Sequence, residues 1–348
     1  MDKNIFAKLP GALLPWYEAN KRDLPWRQDT DAYHVWLSEI MLQQTRVEAV
    51  KGYYARFLTA LPTVEALANA DDEQLYKLWE GLGYYSRVRN LKKAACLIQT
   101  QHAGVFPKAH KDVLALPGIG DYTAGAICSI AFSQPTPAVD GNVLRLVSRL
   151  TDDTTPIDQP VYKKQVQAAL AAVYPPEAGA FTQALMELGA TVCGPNRKPD
   201  CENCPCKGFC LGRKNGTAET LPVKSLKKGR RTEQMTVWIL SCDGSYALRK
   251  RPDTGLLAGL WEFPHIPGKW DVPTTVDKVE QTGLKVRDIL RQVEKKHVFT
   301  HIEWDMCGVY MEVAEKGGDY VWLTREQISG EAALPTAFRQ FWEETGDV

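Results

Sequence analysis

From Tyr33 to Thr100 the apolar residues recur at helical spacing, three and four positions apart as at Leu75, Leu78 and Trp79, with a break at Leu61-Pro62-Thr63. A helix turns once every ~3.6 residues, so this spacing places those side chains on one face and predicts a run of amphipathic helices. The same period continues through 111–116, 123–131, 143–150, 162–172 and 180–191, with Pro and Gly between the segments. An all-α domain over residues 1–215 is expected. From 216 to 231 the chain becomes polar, basic and poor in large apolar side chains, the composition of a linker. Beyond it the texture changes. Residues 236–240 are β-prone, Asp243-Gly244 is a hairpin turn signal, and alternation resumes at 246–248. Further strands are expected at 297–304 and 309–313, and a closing helix at 336–343. The second domain, 232–348, therefore reads as α+β.

At 348 residues the chain can bury one large core and a smaller second one. Its 42 basic residues balance 42 acidic ones, so net charge carries no signature of a nucleic-acid partner and any such partner must be argued locally. No apolar run is long enough for a membrane span, and the first residues lack the basic, apolar and small-residue order of a secretory signal. A cytoplasmic protein with no membrane partner is expected. Nine cysteines, four of them inside 201–210, fit an evenly spread disulfide framework poorly and a metal site well.

Cys193, Cys201, Cys204 and Cys210 are separated by seven, two and five residues, and Pro195, Pro199, Pro205 and Gly208 fall among them. Four thiolates brought together on so turn-rich a loop suit tetrahedral zinc or a [4Fe-4S] cluster. Zinc ribbons offer two Cys-x-x-Cys knuckles, and this loop has one. Cys206 is a bystander or an alternative ligand. Upstream, Leu116-Pro117-Gly118-Ile119-Gly120 sits between two helical patterns. Gly118 and Gly120 permit a tight turn and a close approach of backbone N–H groups to an anion, and the following helix adds a favourable dipole, a way to grip a phosphate backbone without reading sequence. Val139-Asp140-Gly141-Asn142 then precedes the helix at 143–150. Asp140 reads there either as a helix N-cap or as a carboxylate placed to face a developing positive charge.

The order of helix-hairpin-helix, Val139-Asp140-Gly141-Asn142 and four-cysteine loop resembles the endonuclease III superfamily of DNA glycosylases. Within it, Leu24-Pro25-Trp26-Arg27, the stretch from Trp36 to Thr45, and Gly81-Leu82-Gly83-Tyr84-Tyr85-Ser86-Arg87 are similar to the MutY family of adenine glycosylases. The resemblance implies a base-excision-repair enzyme that flips out adenine mispaired with 8-oxoguanine or guanine in double-stranded DNA and hydrolyses its N-glycosidic bond, acting as a monomer with a [4Fe-4S] cluster on Cys193, Cys201, Cys204 and Cys210. Seven residues lie between the first two cysteines where the family has six, and one extra loop residue is absorbed as a bulge. Glu39, in the apolar stretch with Ile40 and Met41, becomes the general acid, its pKa raised by desolvation. Asp140 becomes the anion that stabilises the cationic sugar or bonds to it, and Asn142 and Tyr122 orient the two carboxyls. Bifunctional relatives carry a lysine nucleophile at the position of Tyr122, so no Schiff base is expected. Trp26, Arg27 and Gln183 are expected to line the adenine pocket, and Gln44 and Tyr84 to act as wedges.

The second domain resembles a Nudix fold through Leu260-Trp261-Glu262-Phe263-Pro264, but no glutamate-rich helix follows, so pyrophosphatase activity is not expected. Phe299-Thr300-His301 stands where the family senses the oxidised guanine with Phe-Ser-His. A pyrimidine glycosylase of the same superfamily is the nearest alternative, disfavoured by the missing lysine and the extra domain. A non-catalytic damage-binding module is disfavoured by the presence of both carboxyls.

Overall fold

The computed structural model describes residues 2–195, 197–225 and 229–347. In chain order the helices are α1 (Lys3–Ala7), α2 (Leu9–Asn20), a 3-10 turn (Pro25–Arg27), α3 (Ala32–Leu42), α4 (Val47–Ala60), α5 (Val64–Asn69), α6 (Asp72–Trp79), α7 (Ser86–Gln101), α8 (His110–Leu114), α9 (Asp121–Phe132), α10 (Gly141–Thr151), α11 (Pro160–Ala171), α12 (Ala178–Thr191) and α13 (Leu211–Lys214). Strands β1 (Arg231–Cys242), β2 (Ser245–Lys250), β3 (Trp261–Glu262) and β4 (His265–Pro267) follow, then α14 (Val272–Glu280), β5 (Val286–Val298), β6 (Ile302–Val313), β7 (Val321–Thr324), α15 (Arg325–Gly330) and α16 (Thr336–Trp342). No helix among the described residues is long and apolar enough to cross a membrane.

The chain forms two compact units, one of Met1–Asn69 with Arg89–Lys227 and one of Ala70–Val88 with Lys228–Val348. In the helical unit α10 runs through the middle of one core: Val143, Leu146, Val147 and Leu150 pack with Leu9, Leu13 and Tyr17 of α2, Tyr162 and Val166 of α11, and Phe181, Leu185 and Leu188 of α12. A second buried helix, α9, is covered on nearly all sides from Thr123 to Ile130. Its small residues make that possible, since a methyl group at Gly125 would strike the Pro137 carbonyl.

The other unit is a mixed sheet in the order β3-β2-β1-β6-β5, with β4 also on β1 and β7 on β2. Among the described residues only the β1–β6 ladder is parallel, running from Arg231 opposite Ile302 to Ser241 opposite Glu312. Alternate residues of β1 and β6 feed two cores, one closed by Phe338 and Phe341 of α16 and the other by Val279 of α14. The α+β expectation stands.

Three expectations are revised. The span 297–304 is not one strand: β5 ends at Val298, Phe299-Thr300-His301 make the turn, and β6 starts at Ile302. The Phe299 N–H donates to the Ile302 carbonyl at 2.8 Å and closes a hairpin within a sequence that reads as unbroken alternation. Of the expected linker 216–231, residues 226–228 lie outside the described residues, and the preceding part is held to the helical unit. Arg149 Nε donates to the Leu221 carbonyl at 2.9 Å, Ile157 N–H to the Val223 carbonyl at 3.1 Å, and Ser225 N–H to Asp158 at 3.0 Å. Finally, Ala70–Val88, expected within the helical domain, clusters with the sheet unit. Glu73 of α6 pairs with Lys250 at 3.0 Å, and Glu80 accepts from Leu334 N–H at 3.0 Å and pairs with Arg339.

Candidate active site

Glu39 lies near the end of α3, a helix capped by Asp31, whose carboxylate accepts from the N–H groups of Tyr33 and His34. Every α3 residue from Val35 to Met41 is buried, and Glu39 itself is only 6% exposed. A carboxylate in such a place loses its hydration, so burial raises the Glu39 pKa to about 7, the nearby Asp140 adding to the effect while Tyr122 and Arg27 oppose it. The Tyr122 hydroxyl, in the first turn of α9, donates to Glu39 Oε2 at 2.6 Å. Burial and the two carboxylates push the Tyr122 pKa far above its ordinary value, so this phenol remains a donor.

Asp140 caps α10. Its Oδ1 accepts from the N–H groups of Asn142 and Val143, both at 2.9 Å, and its Oδ2 from Asn142 Nδ2 at 2.6 Å. The cap reading of this residue holds, and capping also fixes the orientation of its carboxylate. Burial outweighs these hydrogen bonds and raises its pKa. Asn142 is in turn held by Arg145, whose Nη2 donates to Asn142 Oδ1 at 2.9 Å and to the Gly189 carbonyl at 2.6 Å. Asp140 and Asn142 open onto a groove of about 720 Å³ whose walls include Arg197, Lys198 and Lys224. Neutral overall, the chain thus carries a local basic concentration beside its candidate anion.

Trp26 is buried edge-on against Tyr54, with ring centroids 5.6 Å apart. Arg27 Nη2 donates to Glu187 Oε2 at 2.8 Å, and Arg22 makes a two-pronged contact with the same carboxylate at 2.6 and 3.0 Å. Burial pushes the Glu187 pKa up, but the two guanidiniums outweigh it and the net shift is downward. Glu187 and Arg22 were missed in the sequence. Glu187 stands alone in Ala184-Leu185-Met186-Glu187-Leu188, the same signal that singled out Glu39. Gln183 lines a depression of about 460 Å³ together with Arg22 and Arg27, and its amide donates to the Gly179 carbonyl at 3.3 Å, one turn back on its own helix.

The hairpin forms as expected between α8 and α9. Gly118 has φ of +77°, and a Cβ there would lie 2.7 Å from Asn90 Cβ, so both the turn and the close approach demand glycine. Gln44 lies just beyond α3, exposed and left-handed at φ 61°. In the sheet unit Tyr84 is left-handed at φ 48° and 51% exposed. Its hydroxyl is 3.3 Å from Thr300 Oγ1, so two residues separated by more than 200 positions meet. Phe299 packs edge-on between His297 and Trp304 with centroids at 4.6 and 4.8 Å, while His301 is exposed.

Cys193, Cys201, Cys204 and Cys210 line one small cavity together with Arg149, Lys207 and Arg213, whereas Cys206 is absent from that lining and fully buried in the helical core. Among the described residues no group of three or more His, Cys, Asp or Glu side chains converges closely enough to hold a single metal ion. Four thiols lining one cavity are a donor set that an iron-sulfur cluster takes at its separate corners and that zinc draws onto one atom. The long interval after Cys193 is closed by the Asp200 N–H donating to the Val192 carbonyl at 3.0 Å.

Residues 37–175 match the family described as HhH-GPD superfamily base excision DNA repair protein, and residues 235–344 match the NUDIX domain. The chain is 34% identical to the adenine DNA glycosylase of Homo sapiens over 95% of its own length and 72% of that protein. It is 39% identical to the adenine DNA glycosylase of Arabidopsis thaliana over 76% of its own length, and spans about half, 48%, of that relative. Among solved structures a thermostable thymine-DNA glycosylase is 26% identical with a TM-score of 0.54, covering 61% of this chain and 97% of the other. A non-covalent endonuclease III–DNA complex, at 21% identity and a TM-score of 0.52, covers 62% and 98% and shares the fold.

Proposed function

The chain belongs to the adenine DNA glycosylases of base excision repair, and we propose that it removes adenine paired with 8-oxoguanine or guanine in duplex DNA by acid-assisted hydrolysis of the N-glycosidic bond. The observation that carries this reading is a pair of carboxyls: Glu39, buried with a pKa near 7 and held by Tyr122, and nearby Asp140, on a helix N-terminus and held by Asn142. An adenine in the stack is out of reach, so the nucleotide rotates out, and we place the base against Trp26, Arg27 and Gln183, where Glu187 holds Arg22 and Arg27. Protonated Glu39 gives its proton to an adenine ring nitrogen while the bond from the sugar C1′ to the base breaks and its electron pair leaves with adenine. Asp140 faces the resulting cationic sugar, and water completes the hydrolysis at C1′. The Gly118–Gly120 hairpin and the basic groove beside Asp140 grip the phosphates, Gln44 and Tyr84 fill the gap, and Tyr84 with Phe299, Thr300 and His301 reads the opposite base. We take the enzyme to act as a monomer.

Cys193, Cys201, Cys204 and Cys210 would hold a [4Fe-4S] cluster, which gives the loop a fixed, charged centre when bound. Arg145 and Arg149 tie that loop to α10 through the Cys193 carbonyl at 3.0 and 3.1 Å. The experiment is single-turnover adenine release from duplexes bearing adenine opposite 8-oxoguanine or guanine. The native chain is expected to release adenine from both. Glu39→Gln and Asp140→Asn are expected to bind duplex and release none, and wild-type rates in either variant would return that residue to a structural role.

A further inference from the structure

The segment that presents Tyr84 is an unusual piece of backbone. Gly81, Gly83 and Tyr84 all have positive φ, at 98°, 69° and 48°. A tyrosine rarely adopts the left-handed region, because its Cβ crowds the following carbonyl. Something must therefore fix this turn. Three residues on, in the first turn of α7, Arg87 is only 7% exposed. Its Nη2 donates to the Leu82 carbonyl at 2.9 Å and to the Gly83 carbonyl at 3.1 Å. Its guanidinium lies over the Tyr84 ring at 5.7 Å and the Trp79 ring at 5.1 Å. Trp79 Nε1 completes the clamp by donating to the Gly83 carbonyl at 3.0 Å.

Only an arginine does all of this. One guanidinium nitrogen reaches two neighbouring carbonyls while the flat face stacks on aromatic rings; a lysine brings a compact charge with no flat face to stack, and a methionine no donor. Burial lowers the Arg87 pKa to about 10, which still leaves it cationic at neutral pH. A buried cation is costly to retain unless it does something an apolar side chain cannot.

We propose that Arg87 is a positioning residue for lesion recognition: it holds the left-handed turn and the ring of Tyr84 so that the tyrosine hydroxyl meets Thr300, and through them it sets the preference for an oxidised partner base. The inference rests on the reading of Tyr84 and Thr300 as lesion-sensing residues given above.

The test uses the full chain and single-turnover adenine release from duplexes with 8-oxoguanine or guanine opposite adenine. The native protein, Arg87→Lys, Arg87→Met, Tyr84→Ala and the double variant Arg87→Met/Tyr84→Ala are compared, with circular dichroism as a check of folding. Arg87→Met is expected to lower the rate ratio between the two duplexes by roughly five- to tenfold, and Arg87→Lys by less, since the flat stacking face is lost but a charged donor stays. Because Arg87 acts through Tyr84, the double variant should be no worse than Tyr84→Ala alone. Penalties that multiply in the double variant, or an equal loss on both duplexes, would overturn the proposal. If Arg87→Met does not fold, Arg87→Lys with Tyr84→Ala provides the same cycle. A Tyr84→Ala protein with undiminished preference removes the lesion-sensing role of Tyr84 and this inference with it, whereas a diminished preference with independent penalties removes the inference alone.

Discussion

Replacing Glu39 by glutamine should stabilise the protein at alkaline pH while removing its activity. In the folded chain burial lifts this carboxyl from its ordinary 4.5 to about 7. Between those values the folded state keeps a proton that the unfolded state gives up, so the neutral acid contributes stability that is present in full below pH 4.5 and lost as pH rises through about 7. That interval corresponds to about 3 kcal/mol. Glutamine fills nearly the same volume, never ionises, and still offers an oxygen to the Tyr122 hydroxyl. The variant should therefore match the native chain in acid and exceed it by up to ~3 kcal/mol above about pH 8.5. The assay is urea denaturation of both proteins at about pH 5 and about pH 8.5, followed through the transition of the helical unit. Other titrating groups cancel in the difference between the two proteins. A difference that is the same at both pH values would mean that Glu39 titrates normally, and the acid assignment would lose its physical basis.

Tyr122→Phe removes a hydrogen bond that favours the ionised form of Glu39, so the alkaline limb of the single-turnover pH–rate profile should move up by about one pH unit, on a lower plateau. A limb that stays put or moves down would disconnect the tyrosine from the proton. Glu187→Ala strips a carboxylate, 1% exposed, from two guanidiniums and should cost about 3 kcal/mol, read as a lowered thermal midpoint together with slower base release. Cys193→Ser should reduce bound iron and the visible absorption of the purified protein, whereas Cys206→Ser should leave both in place; the reverse pattern would reassign the ligands.

Local patterns carried most of what was legible. Glu39 stands out by its charge inside an apolar helical stretch, but it is the family resemblance that makes it the acid, since a glutamate on an amphipathic helix ordinarily faces solvent; Asp140 stands out because capping chemistry has a short-range signature. Glu187 satisfies the first criterion equally well. What the sequence conceals is that Arg22 and Arg27 reach it from more than 150 positions away, converting an isolated buried charge into a network. Alternation failed at Phe299-Thr300-His301 because a tight hairpin preserves the strand pattern on both sides. The attachment of α6 was hidden for another reason: its amphipathic pattern says that a face is buried, and is silent on whether the covering residues are near in sequence or, like Leu334 and Arg339, some 250 positions on.

Because Ala70–Val88 belongs to the sheet unit, the chain passes from one unit to the other at three places and not one. Severing it near residue 228 does not yield two self-sufficient pieces. The N-terminal fragment would retain α6 with Tyr76 deprived of the Gly259 loop and Glu80 deprived of both Leu334 and Arg339, leaving apolar surface and an enclosed carboxylate suddenly open to water. Loss of mismatch preference in such a fragment would mix the removal of Thr300 with the unmooring of Tyr84. A clean dissection calls for point substitutions within the intact chain, and a stable minimal fragment would need the outward face of α6 rewritten as solvent-facing sequence.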